Sequence, residues 1–137
     1  MRVVLDTNVL ISALLFKGRL SQLYESLEYR EVTLCFTEAT FAELTEVLNR
    51  EKFISAFRHA DTSTTEVVDF VRIRSLIKPT PAQIPSLISE DPFDNHILAA
   101  ARVCDAACIV SGNKHITRLS TFENTPILTP RQFLDVL

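Results

Sequence analysis

A chain of 137 residues, 47% apolar and with only two glycines, is long enough for one buried core and too apolar for a disordered or fibrous polymer. Its formal charge of −3 excludes a strongly basic coat for nucleic acid, and no apolar stretch approaches the roughly 20 residues of a membrane-crossing helix. The cysteines Cys35, Cys104 and Cys108 are an odd set without a matching histidine cluster. They predict small buried side chains in a reducing compartment, not a disulfide framework or a zinc site. No signal peptide precedes Asp6, so the expected address is the cytoplasm.

Val3-Val4-Leu5 is a short, continuous apolar run that predicts a central parallel strand buried on both faces. Asp6-Thr7-Asn8 breaks it. Val9, Leu10, Ala13 and Leu14 then recur at helical spacing, predicting a helix that starts near Asn8 and ends at Gly18. Leu20, Leu23, Tyr24 and Leu27 predict a second helix over residues 20–29. Val32 to Phe36 predicts the next strand, and Thr37 is a good N-cap for the helix after it. In that helix Phe41, Leu44 and Leu48 share one face and Glu43 lies on a neighbouring one, about two turns in. A helical pattern continues from Glu51 to Ser75, broken at Asp61-Thr62-Ser63.

Pro79, Pro81, Pro85 and Pro92 make residues 78–92 a stiff connecting loop. Asp91 caps, and Pro92 opens, a helix carrying the apolar stripe Ile97, Leu98 and Ala101. Ala106 to Val110 predicts a strand ended by Ser111-Gly112-Asn113. Ile127-Leu128 predicts a last short strand, and Pro130 opens a terminal helix through Leu137. Short apolar strands alternating with helices predict one α/β domain over residues 1–137, a parallel sheet between helical layers.

Open parallel sheets place ligands at the carboxyl edge of their strands. Asp6 leaves the first strand at that edge. Thr37 opens its helix there, so Glu43 lies within two turns of it. The helix from Pro92 runs antiparallel to the strand it precedes, which brings Asp94 to the same rim; Ser111 and Asn113 leave the strand ending at Val110 there too. Clustered carboxylates stay ionised together only beside a cation. An oxygen-only donor set suits Mg²⁺ or Mn²⁺, ions that clamp the attacking and leaving oxygens of a phosphodiester. No Gly-rich phosphate loop and no Ser-His-Asp or Cys-His spacing offers a rival chemistry. Taken singly, each acid has a plainer role: Asp6 as a turn residue capping the next helix, Asp94 as a first-turn acid favoured by the helix dipole, Glu43 as a solvated helix residue like Glu38 and Glu46. Asp91 is expected to be a cap, and His96 and His115 lone surface histidines. Lys114, His115 and Arg118 form a basic cluster beside the rim, suited either to substrate phosphates or to ordinary solvation.

Leu5-Asp6-Thr7-Asn8-Val9, the mid-helix Glu43, Asp91-Pro92-Phe93-Asp94-Asn95-His96-Ile97-Leu98-Ala99-Ala100-Ala101 and Ile109-Val110-Ser111-Gly112-Asn113-Lys114-His115 together resemble the PIN domain over essentially the whole chain. The resemblance implies a Rossmann-like fold and a metal-dependent ribonuclease. Its VapC-like type further implies the toxin half of a toxin–antitoxin pair, with RNA as substrate and with an antitoxin protein and a second copy of the chain as partners. It implies metal ligation by Asp6, Glu43 and Asp94, support of Asp6 by Thr7 or Asn8, and Ser111 lining the rim. Where the family commonly has a fourth acid this chain has Asn113. The amide keeps a carbonyl oxygen that can ligate but carries no charge, so a second metal is expected to bind weakly. The main rival is a PIN-like module that holds RNA or a partner without cleaving. A receiver-type phospho-acceptor would need paired acids early in the chain, and a dehalogenase-type phosphatase a second Asp where Asn8 stands.

Overall fold

A computed structural model describes residues 1–15 and 17–137, with the backbone alone for 17–20. Strand β1 (Arg2–Leu5) leads through α1 (Thr7–Leu15) and α2 (Lys17–Glu28) to β2 (Thr33–Thr37). Helices α3 (Glu38–Leu48), α4 (Glu51–His59) and α5 (Thr64–Ile73) precede β3 (Ser75–Lys78). After an irregular segment, a 3₁₀ turn (Pro92–Asp94) runs into α6 (Asn95–Cys104) and β4 (Cys108–Val110). The short α7 (Lys114–Thr117), the strands β5 (Thr121–Phe122) and β6 (Thr125–Leu128), and α8 (Pro130–Val136) close the chain.

The strands form one six-stranded sheet in the order β3-β2-β1-β4-β6-β5, parallel throughout except for β5 against β6. Alternation along the central strands explains their unbroken apolar runs. Val3 and Leu5 face one core and Val4 the other; Leu34 and Phe36 oppose Cys35, and Cys108 and Val110 oppose Ile109. Leu10, Leu27, Leu44, Val71 and Phe133 from α1, α2, α3, α5 and α8 cover the first face. Ile97, Leu98, Ala100 and Ala101 of α6, joined by Ile116 of α7, cover the second. The result is a three-layer α/β/α fold.

Local chemistry sets the helix starts. Thr37 and Thr40 cap each other reciprocally, with Thr37 Oγ1 accepting from Thr40 N at 3.1 Å and Thr40 Oγ1 from Thr37 N at 2.9 Å. Ser63 caps α5, and Thr129 with Gln132 caps α8 around Pro130. Several expectations need correction. The helix expected to end at Gly18 stops at Leu15, and Gly18 falls within the span of α2. Of the stripe expected on that second helix, Leu23 and Leu27 are buried, and the Leu20 side chain lies outside the described residues. The helical pattern continued to Ser75 ends at Ile73, and Ser75–Lys78 is instead an edge strand. A hairpin at 121–128 replaces the single short strand at Ile127-Leu128. All three cysteines are free and buried, and burial pushes the Cys35 thiol up to about 12, as expected of inert core residues. Among the described residues no helix is long and apolar enough to cross a membrane.

Candidate active site

Counting outward from β1, the chain first builds the sheet through β2 and β3 on one side and then crosses to β4 on the other. The crevice at such a switch point, beyond the carboxyl ends of the two diverging strands, is the natural ligand position of this sheet. Leu5 is paired with Val110, so the next residues, Asp6 and Ser111, emerge together at that crevice. The Asp6 main chain is pinned on both sides: its N–H donates to Val110 O at 2.9 Å, and its carbonyl accepts from Leu10 N at 3.1 Å. The Asp6 carboxylate accepts the Ser111 hydroxyl at 2.7 Å, so its described bond goes across the crevice and not to a helix N–H. Ser111 is fully buried, and its Oγ accepts from Asn113 N at 3.0 Å.

Asp94 arrives from the other layer, at the junction of the 3₁₀ turn and α6. It makes no side-chain cap bond there, and its Oδ2 accepts the Asn113 Nδ2–H at 3.0 Å. The segment bearing it is held by the buried Asn95. Asn95 Oδ1 accepts from Leu87 N (3.0 Å) and Ile88 N (2.9 Å), while Nδ2 donates to Ile88 O (2.8 Å) and Pro92 O (3.0 Å). Glu43 reaches the same place from α3. A pocket of about 200 Å³ results, lined by the acids Asp6, Glu43, Asp91 and Asp94, with Thr7, Asn8, Asn113 and Arg50. A separate, largely apolar pocket of about 300 Å³, bordered by Leu14, Leu15, Phe57 and Phe70, has Glu66 as its one acid among the described residues.

Carboxylates packed this way raise one another's proton affinity. Burial pushes the Asp94 carboxyl up to about 6, helped by the charges of Asp91 and Asp6. Glu43 is also raised, first by burial and then by Asp6, Asp91 and Asp94. Groups that hold protons because of their neighbours' charge are groups that a cation can displace those protons from. The donors are all oxygens and suit a hard divalent ion. Among the described residues, no three His, Cys, Asp or Glu side chains already form a closed ligating group. Among the described residues the acids converge on one pocket without forming a preassembled cage.

Asn113, expected to offer its carbonyl oxygen to a metal, lines the pocket and uses both ends of its amide. Its Oδ1 caps α7 by accepting from His115 N at 2.8 Å, which fixes the amide so that Nδ2 faces Asp94. Thr7 and Asn8 line the pocket beside Asp6, yet among the described residues the hydrogen-bond partner of the Asp6 carboxylate is Ser111. Lys114 and His115 lie on α7 outside the pocket lining. The basic cluster is answered by an acid: Glu90 is 2.6 Å from Arg118 and 3.8 Å from His115 Nδ1. Asp91 caps as expected, its carboxylate accepting from Phe93 N at 3.2 Å, but it also lines the pocket. His96 stacks on Phe93 with ring centroids 4.6 Å apart, and its Nδ1 is buried without a hydrogen-bond partner among the described residues. Four pocket residues escape a sequence reading that looks for acids and their polar neighbours: Val47, Arg50, Phe93 and Ile97. Helical spacing gives Arg50 no signal, since α3 ends at Leu48 and Arg50 follows it with an extended backbone.

Neither a curated protein nor a solved structure matches the chain. A family model for the PIN domain matches residues 2–115. PIN domains are generally nucleases, bind nucleic acids and generally use divalent metals. The matched span runs from the first residue of β1 into α7 and so takes in every acid of the pocket together with the strands β1 to β4; this chain belongs to the PIN domain family.

Proposed function

We propose that this chain is a Mg²⁺- or Mn²⁺-dependent endoribonuclease whose metal ligands are the carboxylates of Asp6, Glu43 and Asp94. The observation that carries the proposal is their convergence, from three separate elements, on one pocket at the switch point of the sheet. The chemistry supplied by a bound divalent ion would be neutralisation of the phosphodiester oxygens and activation of a water. The protein's own groups do the rest. Ser111 holds the Asp6 carboxylate in one orientation. Asn113 does the same for Asp94. Protons on Asp94 would compete with a cation, so metal binding should strengthen with rising pH through the range in which Asp94, at about 6, titrates; Glu43 is raised in the same direction. The test is cleavage of a single-stranded RNA. It should need Mg²⁺ or Mn²⁺, stop with EDTA, and fall by about 100-fold or more in Asp6→Asn, the loss typical of removing a central charge-stabilising group. Undiminished cleavage by Asp6→Asn would show that the activity lies elsewhere.

The arrangement of Asn113 favours a second reading, an RNA- or partner-binding module with weak or no catalysis. The amide occupies the expected place of a fourth acid and spends its oxygen on the α7 cap. RNA binding that persists through EDTA, with no cleavage in either metal, would support it. A role as the toxin of a toxin–antitoxin pair, working in the cytoplasm with an antitoxin and as a homodimer, rests on family resemblance; the free, buried cysteines suit a reducing address. Growth arrest on expression that Asp6→Asn abolishes would support the toxin role.

A further inference from the structure

Arg50 stands between α3 and α4 as the residue that opens α4. Its backbone is extended (φ −71°, ψ 146°) and its side chain makes no cap bond. Its carbonyl accepts from Phe53 N at 2.9 Å and Ile54 N at 3.0 Å. The first turn of α4 therefore fixes the main chain and leaves the guanidinium for other contacts. Arg50 lines the acidic pocket and is the only basic residue to do so among the described residues. Glu43 feels its charge. Even so, among the described residues the ion pairs are Arg72–Asp69, Arg102–Glu123, His115–Glu90 and Arg118–Glu90, and none includes Arg50. Just past the rim, Arg118 is paired with Glu90 and Lys114 lies outside the pocket lining, whereas Arg50 is exposed, lines the pocket with four carboxylates and is in no salt bridge among the described residues.

A phosphodiester entering such a pocket meets like charge on every acidic wall. A cation at the mouth offsets that repulsion, and a guanidinium does so with a planar fork that matches two phosphate oxygens. We propose that Arg50 is a substrate-binding residue that grips a phosphate of the nucleic-acid strand at the acidic pocket. The proposal rests on the ribonuclease reading above and adds to it the group that brings the anion in.

Its test combines fluorescence anisotropy of a labelled single-stranded oligoribonucleotide in Ca²⁺ with calorimetric Mn²⁺ titration, for wild type, Arg50→Gln, Arg50→Lys and the exposed control Arg58→Gln. Arg50→Gln should weaken RNA binding about tenfold or more, as expected for a lost charge-assisted contact. Its salt slope should fall by about 0.7, the share of one phosphate on a single strand. Arg50→Lys should be intermediate, keeping the charge and losing the fork. Mn²⁺ affinity should be unchanged or tighter in Arg50→Gln, because a repelling charge has gone. Wild-type RNA affinity in Arg50→Gln would overturn the proposal and leave Arg50 as a counter-charge to Glu43. Equal weakening in Arg58→Gln would overturn it in favour of general electrostatics. Joint loss of RNA and Mn²⁺ binding would overturn it in favour of a role in holding the pocket together. If wild type itself takes up no RNA while binding Mn²⁺, the ribonuclease reading fails and the assignment of Arg50 falls with it.

Discussion

Two roles meet in the side chain of Asn113: its oxygen caps α7 and its amide N–H steadies Asp94. Aspartate is an equally good N-cap, so Asn113→Asp should keep α7. It would, however, replace a donor to Asp94 by a second carboxylate at the 3.0 Å now occupied by a hydrogen bond. The metal-free protein should lose about 1 kcal/mol, a few degrees of melting temperature, and Mn²⁺ should restore more than it adds to wild type. Thermal melts with EDTA and with Mn²⁺ read both quantities, and a Mn²⁺-induced shift no larger than wild type's would place residue 113 outside the metal's reach. Asp94→Asn should act in the opposite direction. With its carboxyl raised from 3.8 to about 6, folded Asp94 binds a proton more tightly than the unfolded chain does. Stability is therefore lost as pH rises across that window, and the deficit is complete above it. Asn in its place should raise the metal-free stability at neutral pH by about 1 kcal/mol, a figure discounted for the group's partial exposure. The gain should vanish on acidification below 3.8; a gain of equal size there would mean the charge of Asp94 is not its cause.

At the scale of elements, the acidic rim depends on a segment with no regular structure. Asn95 makes four hydrogen bonds to Leu87, Ile88 and Pro92, and that buried amide takes the place of a strand ladder in fixing where Asp91 and Asp94 lie. Asn95→Ala should cost roughly 2–4 kcal/mol, because it strands the buried Ile88 N–H and two carbonyls. Amide exchange should speed up most over residues 87–94 and less in β1 and β4; a uniform change would deny the segment its own anchor. The central strands, the caps at Thr37 and Asp91, and the helix start at Pro130 were legible in the sequence because burial on both faces and helix-start chemistry leave direct marks. Strand β3 was not. Leu76 and Ile77 are only half-buried on an edge and continue the apolar spacing of α5, so nothing local separates strand from helix. The β5–β6 hairpin was hidden for a different reason. Its turn residues Glu123 and Asn124 both take positive φ, 48° and 68°, the pattern of a type I′ turn, which usually announces itself by an Asn-Gly pair. At the rim, Asp6, Glu43 and Asp94 were recoverable from strand and helix polarity, whereas the orientation of Asn113 and the pairing of Arg118 with Glu90 are tertiary facts without a local pattern.

On the scale of the whole molecule, the sheet order is what converts scattered acids into a centre. β1 and β4 are neighbours although more than 100 residues separate Arg2 from Cys108, and their shared register sets Asp6 against Ser111. The two helical layers then contribute Glu43 from one side and Asp94 from the other. A net charge of −3 with four acids gathered at one pocket leaves the remaining surface near neutral, so a bound divalent ion would change the sign of the field where nucleic acid approaches. Such an ion should also stabilise the fold as a whole, by about 2.7 kcal/mol when present at 100 times its Kd. The central claim is that these converging carboxylates are one cation centre, and calorimetric Mn²⁺ titration of wild type beside Asp6→Asn tests it most directly. Wild type should show saturable binding that tightens above the titration of Asp94 at about 6, and Asp6→Asn should weaken it at least about tenfold. Absence of saturable binding in wild type, or equal affinity in Asp6→Asn, would contradict the account.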